Sequence, residues 1–130
     1  MISSKLILKD LIRLYLKNLC GRRRDIQIYD QVERLSFNGK RKCKFDFVIE
    51  DPSSGDVIGI IILDWDRVIG VDVVLRFWRS IKSCGLTMGI LVGSDFSEQA
   101  RARAKALENI FLISKGDLVS YLRSRGDLKD

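Results

Sequence analysis

The residues with the most evident chemistry stand in IIILDWDR, residues 60–67, where an apolar run ends in acid, aromatic, acid and base. An acid-x-acid pair at the tip of a hydrophobic strand is a common mount for metal-dependent phosphoryl chemistry, because gathered carboxylates hold a divalent cation beside a phosphate. Residues two apart in an extended chain point to one face, so Asp64 and Asp66 become neighbours if the strand runs through them. A structural role competes with this one: acids at a strand end favour the N-terminus of a following helix. The sequence leaves both open. It contains no histidine, which excludes His-ligated metals and Ser-His or Cys-His nucleophiles. Catalysis would have to rest on carboxylate, lysine, arginine or hydroxyl groups.

The elements that must position these acids can be read from periodicity. Apolar residues from Lys5 to Cys20 follow helical spacing, with Ser3 or Ser4 as N-cap and Gly21 as stop; the other face carries Lys5, Lys9, Arg13 and Lys17. That basic stripe fits either a polyanion or plain solvation, and Asp10 is expected to pair with Arg13. Residues 25–37 suggest a strand whose alternation slips once, as at a bulge, and Asn38-Gly39 is a hairpin turn. A second strand over 42–50 would place Cys43, Phe45, Phe47 and Ile49 on one face and Lys42, Lys44, Asp46 and Val48 on the other. Residues 51–56, DPSSGD, form a loop, and residues 57–63, apolar on both faces, belong in the sheet centre. A helix from about Ile69 to Gly85, a strand over 87–93, a helix capped by Ser97, a strand over 109–114 and a helix over 117–125 complete the chain. The order is α-β-β-β-α-β-α-β-α, an α/β fold with a mixed central sheet flanked by helices. Trp65 and Trp78 are expected in the core or an interface.

Composition narrows the function classes. A chain of 130 residues is most simply one domain over residues 1–130, able to bury about two-thirds of its unfolded surface. With 46% hydrophobic and 31% charged residues and no apolar run of about eighteen, the expectation is a soluble cytoplasmic protein without a membrane span. The N-terminal stretch reads as an amphipathic helix, not a signal peptide, because charges interrupt it regularly. Cys20, Cys43 and Cys84 are odd in number and widely spaced, so three reduced thiols are expected, without disulfide or zinc site. A net charge of +6 points to an anionic partner such as nucleic acid. Few Asn and Gln beside many Ile, Arg and Lys would suit a thermophile.

In order and spacing, the chain resembles the restriction-endonuclease-like, or PD-(D/E)xK, nucleases. Asp46 in KFDFVIE stands where that family has an Asp on its second strand, and Asp64 at the end of GIIILD stands where it has the first acid of its acid-x-Lys. The stretch GILVGSDFSEQARARAKALENIFLISKGDL is similar to the closing part of Mrr-like nuclease domains. The resemblance implies a metal site for Mg²⁺ or Mn²⁺ at Asp46, Asp64 and Asp66, with Asp46 and Asp64 catalytic, and a DNA partner. Related nucleases often dimerise, so a homodimer is expected.

One position departs from the family. Where it has lysine, this chain has Asp66, so the motif reads D-W-D. A third carboxylate can hold metal but supplies no cation beside the attacked phosphate. Lys44, two residues before Asp46, or Arg67 could substitute, arginine as a stabiliser only. Toprim-type and haloacid-dehalogenase-type acid pairs fit poorly in order and position, and no phosphate-binding glycine motif is present. The reading favoured is a DNA-binding protein of nuclease ancestry with weakened or lost hydrolysis, its phosphate contacts including Arg22, Arg23, Arg24, Arg76, Arg79 and Lys82. Two others remain: an active Mg²⁺- or Mn²⁺-dependent endonuclease with Lys44 in the lysine role, and a non-catalytic protein-interaction subunit.

Overall fold

A computed structural model of the chain describes residues 4–21 and 23–126, with side chains from Leu8 onward. Helix α1 (Ser4–Cys20) leads to strands β1 (Gln27–Leu35), β2 (Lys42–Asp51) and β3 (Asp56–Ile62). Helix α2 (Val71–Ser83), strand β4 (Met88–Gly93), helix α3 (Glu98–Ala106), strand β5 (Ile110–Ser114) and helix α4 (Lys115–Ser124) follow. The sheet has the order β1-β2-β3-β4-β5, antiparallel across the first three strands and parallel across the last three. The strand apolar on both faces, β3, is its middle strand. Helices α1 and α4 cover one face, over Phe47, Ile49, Ile60 and Ile62; α2 and α3 cover the other, over Phe45, Val48 and Leu91.

Local signals act where the sequence places them. The Ser97 and Ser114 side chains accept the amides of Ala100 and Asp117 and so start α3 and α4. Gly39 closes the β1–β2 hairpin at φ 71°, a left-handed conformation that glycine adopts at little cost. The N-cap expected at Ser3 or Ser4 lies outside the described residues and side chains. Among the described residues no helix is long and apolar enough to cross a membrane.

The alternation expected for β2 does not survive. Phe45 and Phe47 are two residues apart, yet they pack on opposite faces of the sheet, Phe45 with Cys43 and Val48, Phe47 with Ile49. The cause is a bend at Asp46. Pairing of β2 with β3 stops at Phe47 and Ile60, whereas pairing with β1 continues to Lys42 and Leu35. Opposite the bend, Gln31 takes φ 51° between the pairs Asp30–Phe47 and Val32–Phe45. The slip anticipated in β1 is therefore real and is shared by both strands, but it is not a bulge: Gln31 and Asp46 stand one opposite one, and the register is unchanged on either side. Beyond it the hairpin leaves the sheet and crosses the face beneath α2. Gly59 makes room for the crossing: a Cβ there would lie 2.9 Å from the Phe45 ring.

The hairpin is fastened where it lands. Cys43 of β2 and Cys84 at the end of α2 form a disulfide, and the Phe37 amide donates to the Ser83 carbonyl at 3.0 Å. This corrects the expectation of three reduced thiols. Spacing in sequence gave no hint of the bond, because only the bend carries Cys43 across the sheet to α2. Cys20 is the free thiol. Unfolding in urea with and without reductant should show the reduced protein less stable by about 2–4 kcal/mol, the usual effect of closing a loop of this size. Denatured but unreduced protein should label at one thiol; labelling at three would remove the bond from the account.

Candidate functional site

Asp46 owes its position to the bend. Where β2 turns from β3, the Ile62 amide loses its expected ladder partner, and the Asp46 carboxylate replaces it: Oδ2 accepts that amide at 2.7 Å. Asp46 is only 7% exposed. Its carboxylate thus sits against the end of β3, two residues before Asp64, which bears on whether the two acids approach each other.

Past Ile62 the chain follows β4 for one more bond, Leu63 N–H to the Val92 carbonyl at 2.8 Å, and then leaves the strand. Trp65 turns inward onto the α2 face, while Asp64, Asp66 and Arg67 are exposed. Ser94 holds this loop, its hydroxyl donating to the carbonyls of Trp65 at 2.7 Å and Arg67 at 3.1 Å. Neither acid caps the following helix: the N-cap of α2 is Gly70, and the acid of its first turn is Asp72. Among the described residues no three His, Cys, Asp or Glu side chains gather as a metal-ligating group. An ion of the Mg²⁺ type would need only one or two of these carboxylates, because it keeps several of its waters.

Both substitute cations are engaged elsewhere. Placing Lys44 beside Asp46 depended on unbroken alternation; with the bend, Lys44 is 78% exposed and its amine lies 3.7 Å from Glu33. The Arg67 guanidinium packs over the Trp65 ring, 4.7 Å from its centroid, where the π face attracts the cation.

The basic residues fall into different groups. On α1, Lys9 is buried and bonds Asp30 at 3.3 Å, Arg13 bonds Asp30 at 2.6 Å and Asp10 at 3.2 Å, and both cations lie over the Phe47 ring. Burial works against a charged Asp30, yet the bonds from Arg13 and Lys9 outweigh it and hold the carboxyl below its usual range. Much of the expected basic stripe is thus spent on packing α1 against β1. Arg23 is spent likewise: it bonds Asp25 and Asp51 at 2.7 Å each and also Ser53, and its hydrogen bonds lower both carboxyls, that of Asp51 well below the usual range. Arg22 lies outside the described residues. Arg24 is exposed, and Arg76, Arg79 and Lys82 recur every third residue along the exposed side of α2. A cleft of about 480 Å³, lined by Trp65, Arg67, Gly70, Asp72, Arg76 and Ser97, joins the D-W-D loop to that row. The sequence reading missed Ser94, an ordinary serine whose role depends on a neighbouring strand.

A family model described as a restriction endonuclease, of the Mrr catalytic type, matches residues 17–122. The chain belongs to that family. No curated protein matches this restriction-endonuclease domain in sequence. Among solved structures it is similar to a protein of unknown function, AF1548, with a TM-score of 0.67 and 16% identity over 91% of this chain. It is also similar to a repair endonuclease from Pyrococcus abyssi, with a TM-score of 0.54 and 16% identity over 88%. A third is the DNA modification-dependent restriction endonuclease AspBHI, with a TM-score of 0.53 and 18% identity over 97%. The chain spans 65%, 47% and 37% of these proteins respectively. Identities this low show a shared fold.

Asp46 has a structural duty in this domain that can be tested apart from chemistry. Asp46→Ala leaves the Ile62 amide without its acceptor and should cost about 1–3 kcal/mol in chemical denaturation. Asp46→Asn keeps a side-chain oxygen for that amide and should cost clearly less.

Proposed function

We propose that this domain binds DNA through phosphate contacts on α2 and that its nuclease site is weakened or lost for hydrolysis. The observation that carries this reading is the acid that stands at the position of the family's lysine. Asp66 stands where the family has lysine, Lys44 faces Glu33, and Arg67 lies on Trp65. A phosphodiester brought to Asp46 and Asp64 would meet a further carboxylate at position 66 in place of the motif's own positive charge. Mg²⁺ or Mn²⁺ held by Asp46 and Asp64 would supply part of that charge and could activate water. The same ion could equally serve to hold a phosphate in place.

Support for binding comes from exposed cations with no ion-pair partner among the described residues. Arg76, Arg79 and Lys82 lie in a row on α2, and the cleft at its start adds Arg67. Contacts of this kind position a duplex without reading its bases. In a gel-shift or anisotropy titration on duplex DNA, log affinity should fall linearly with log salt. Replacing Arg76, Arg79 and Lys82 together by Ala should lower that slope by about 2–3. Affinity that ignores salt, or a slope unchanged in the triple variant, would refute the α2 interface.

A further inference from the structure

The most exposed large apolar side chain among the described residues is Phe37, at 85%. It is not on a loose segment. The Ser36 amide donates to the Arg41 carbonyl at 2.9 Å, the Gly39 amide to the Ser36 carbonyl at 2.9 Å, and the Lys40 amide to the Asn38 side chain at 2.9 Å. The Phe37 amide is bonded to Ser83 at the end of α2, and the Cys43–Cys84 disulfide fixes the hairpin just behind it. One side of the ring rests on Gly85, where a Cβ would come within 2.8 Å of it. With that side covered, exposure this large leaves the other side of the ring in water. A phenyl ring held open by so many bonds adds nothing to the core.

The surroundings of the ring are basic. The tip reads SFNGKRKCK, residues 36–44, with cations at Lys40, Arg41, Lys42 and Lys44 and no acid. Lys44 answers Glu33 across the hairpin, while Lys40, Arg41 and Lys42 are exposed and have no ion-pair partner among the described residues. The contact with Ser83 brings the tip to the end of α2 that bears Lys82, so the row of α2 cations leads to it. An open aromatic face flanked by cations matches single-stranded nucleic acid. Its bases have free faces to stack and its phosphates lie alongside, whereas in a duplex the base faces are already covered.

We propose that the β1–β2 hairpin tip binds an unpaired stretch of nucleic acid, with Phe37 stacking on one base and Lys40, Arg41 and Lys42 holding the flanking phosphates. This rests on the reading of the domain as a DNA binder and adds the strand form it engages. The Cys43–Cys84 bond holds the platform in place.

The test is fluorescence anisotropy of the full chain with a labelled twelve-nucleotide oligo(dT) and with a hairpin-free duplex, comparing wild type, Phe37→Ala and Phe37→Trp. Thermal melts confirm that each variant is folded. Phe37→Ala should weaken oligo(dT) binding by about 5- to 150-fold, the range of a lost base–aromatic stack, and leave duplex binding within twofold. Phe37→Trp should bind oligo(dT) at least as well as wild type, with its fluorescence quenched by the base. Wild-type single-strand affinity kept in Phe37→Ala, or no single-strand binding by wild type, would overturn the proposal while duplex binding still stood. A Phe37→Ala effect on oligomer size in light scattering instead of on oligo(dT) affinity would also overturn it, by assigning the tip to a second copy of the chain. Loss of duplex binding in wild type would overturn the broader DNA reading.

Discussion

The structure turns on one hydrogen bond, from the Ile62 amide to the Asp46 carboxylate. Strand β2 must leave β3 to carry its hairpin across to α2, and a strand that departs strands the amides of its neighbour. A buried amide without an acceptor costs on the order of 1–3 kcal/mol, so the bend needs a side-chain acceptor at that point. Asp46 fills the role. The same bend reverses which faces Phe45 and Phe47 address, brings Cys43 to Cys84, and sends Lys44 to Glu33. Core packing, covalent bracing and the fate of a candidate catalytic cation all follow from it.

That arrangement bears on how a nuclease scaffold can outlast its chemistry. If an acid on the second strand also completes the hydrogen bonding of the sheet, its loss would damage the fold whether or not it serves catalysis. The residue after Trp65 carries no such duty: Asp66 is exposed on a loop pinned by backbone carbonyls, where a lysine or an aspartate fits equally well. Asp46 is therefore constrained by folding, whereas Asp66 is exposed.

Much of the fold was legible in residue order because its signals are local. The element order, the central β3, the Asn38-Gly39 turn, the serine caps of α3 and α4 and the Asp10–Arg13 pair each depend on neighbours within a few positions. The family resemblance drawn from that order holds as well. The β1 slip was visible too, since a change of alternation is written along one strand. Its counterpart in β2 was hidden, because Cys43, Phe45, Phe47 and Ile49 alternate without interruption; two aromatic residues satisfy either face. The disulfide and the engagement of Lys44 were hidden for the same reason, since both need the third dimension the bend supplies. The basic stripe of α1 read as open to a polyanion or to solvent because Asp30, which takes up Lys9 and Arg13, lies on another element.

The central claim is that Asp46 and Asp64 keep the motif's acids while Asp66 stands in place of its lysine. Its most direct measurement is cleavage of labelled duplex and single-stranded DNA in Mg²⁺ or Mn²⁺ by the wild type, by Asp66→Lys and by Asp46→Asn. The account predicts no cutting by wild type under conditions where it binds DNA, and metal-dependent cutting when lysine is restored at position 66. Metal-dependent cutting by wild type that Asp46→Asn abolishes would contradict it, and would make D-W-D a working site.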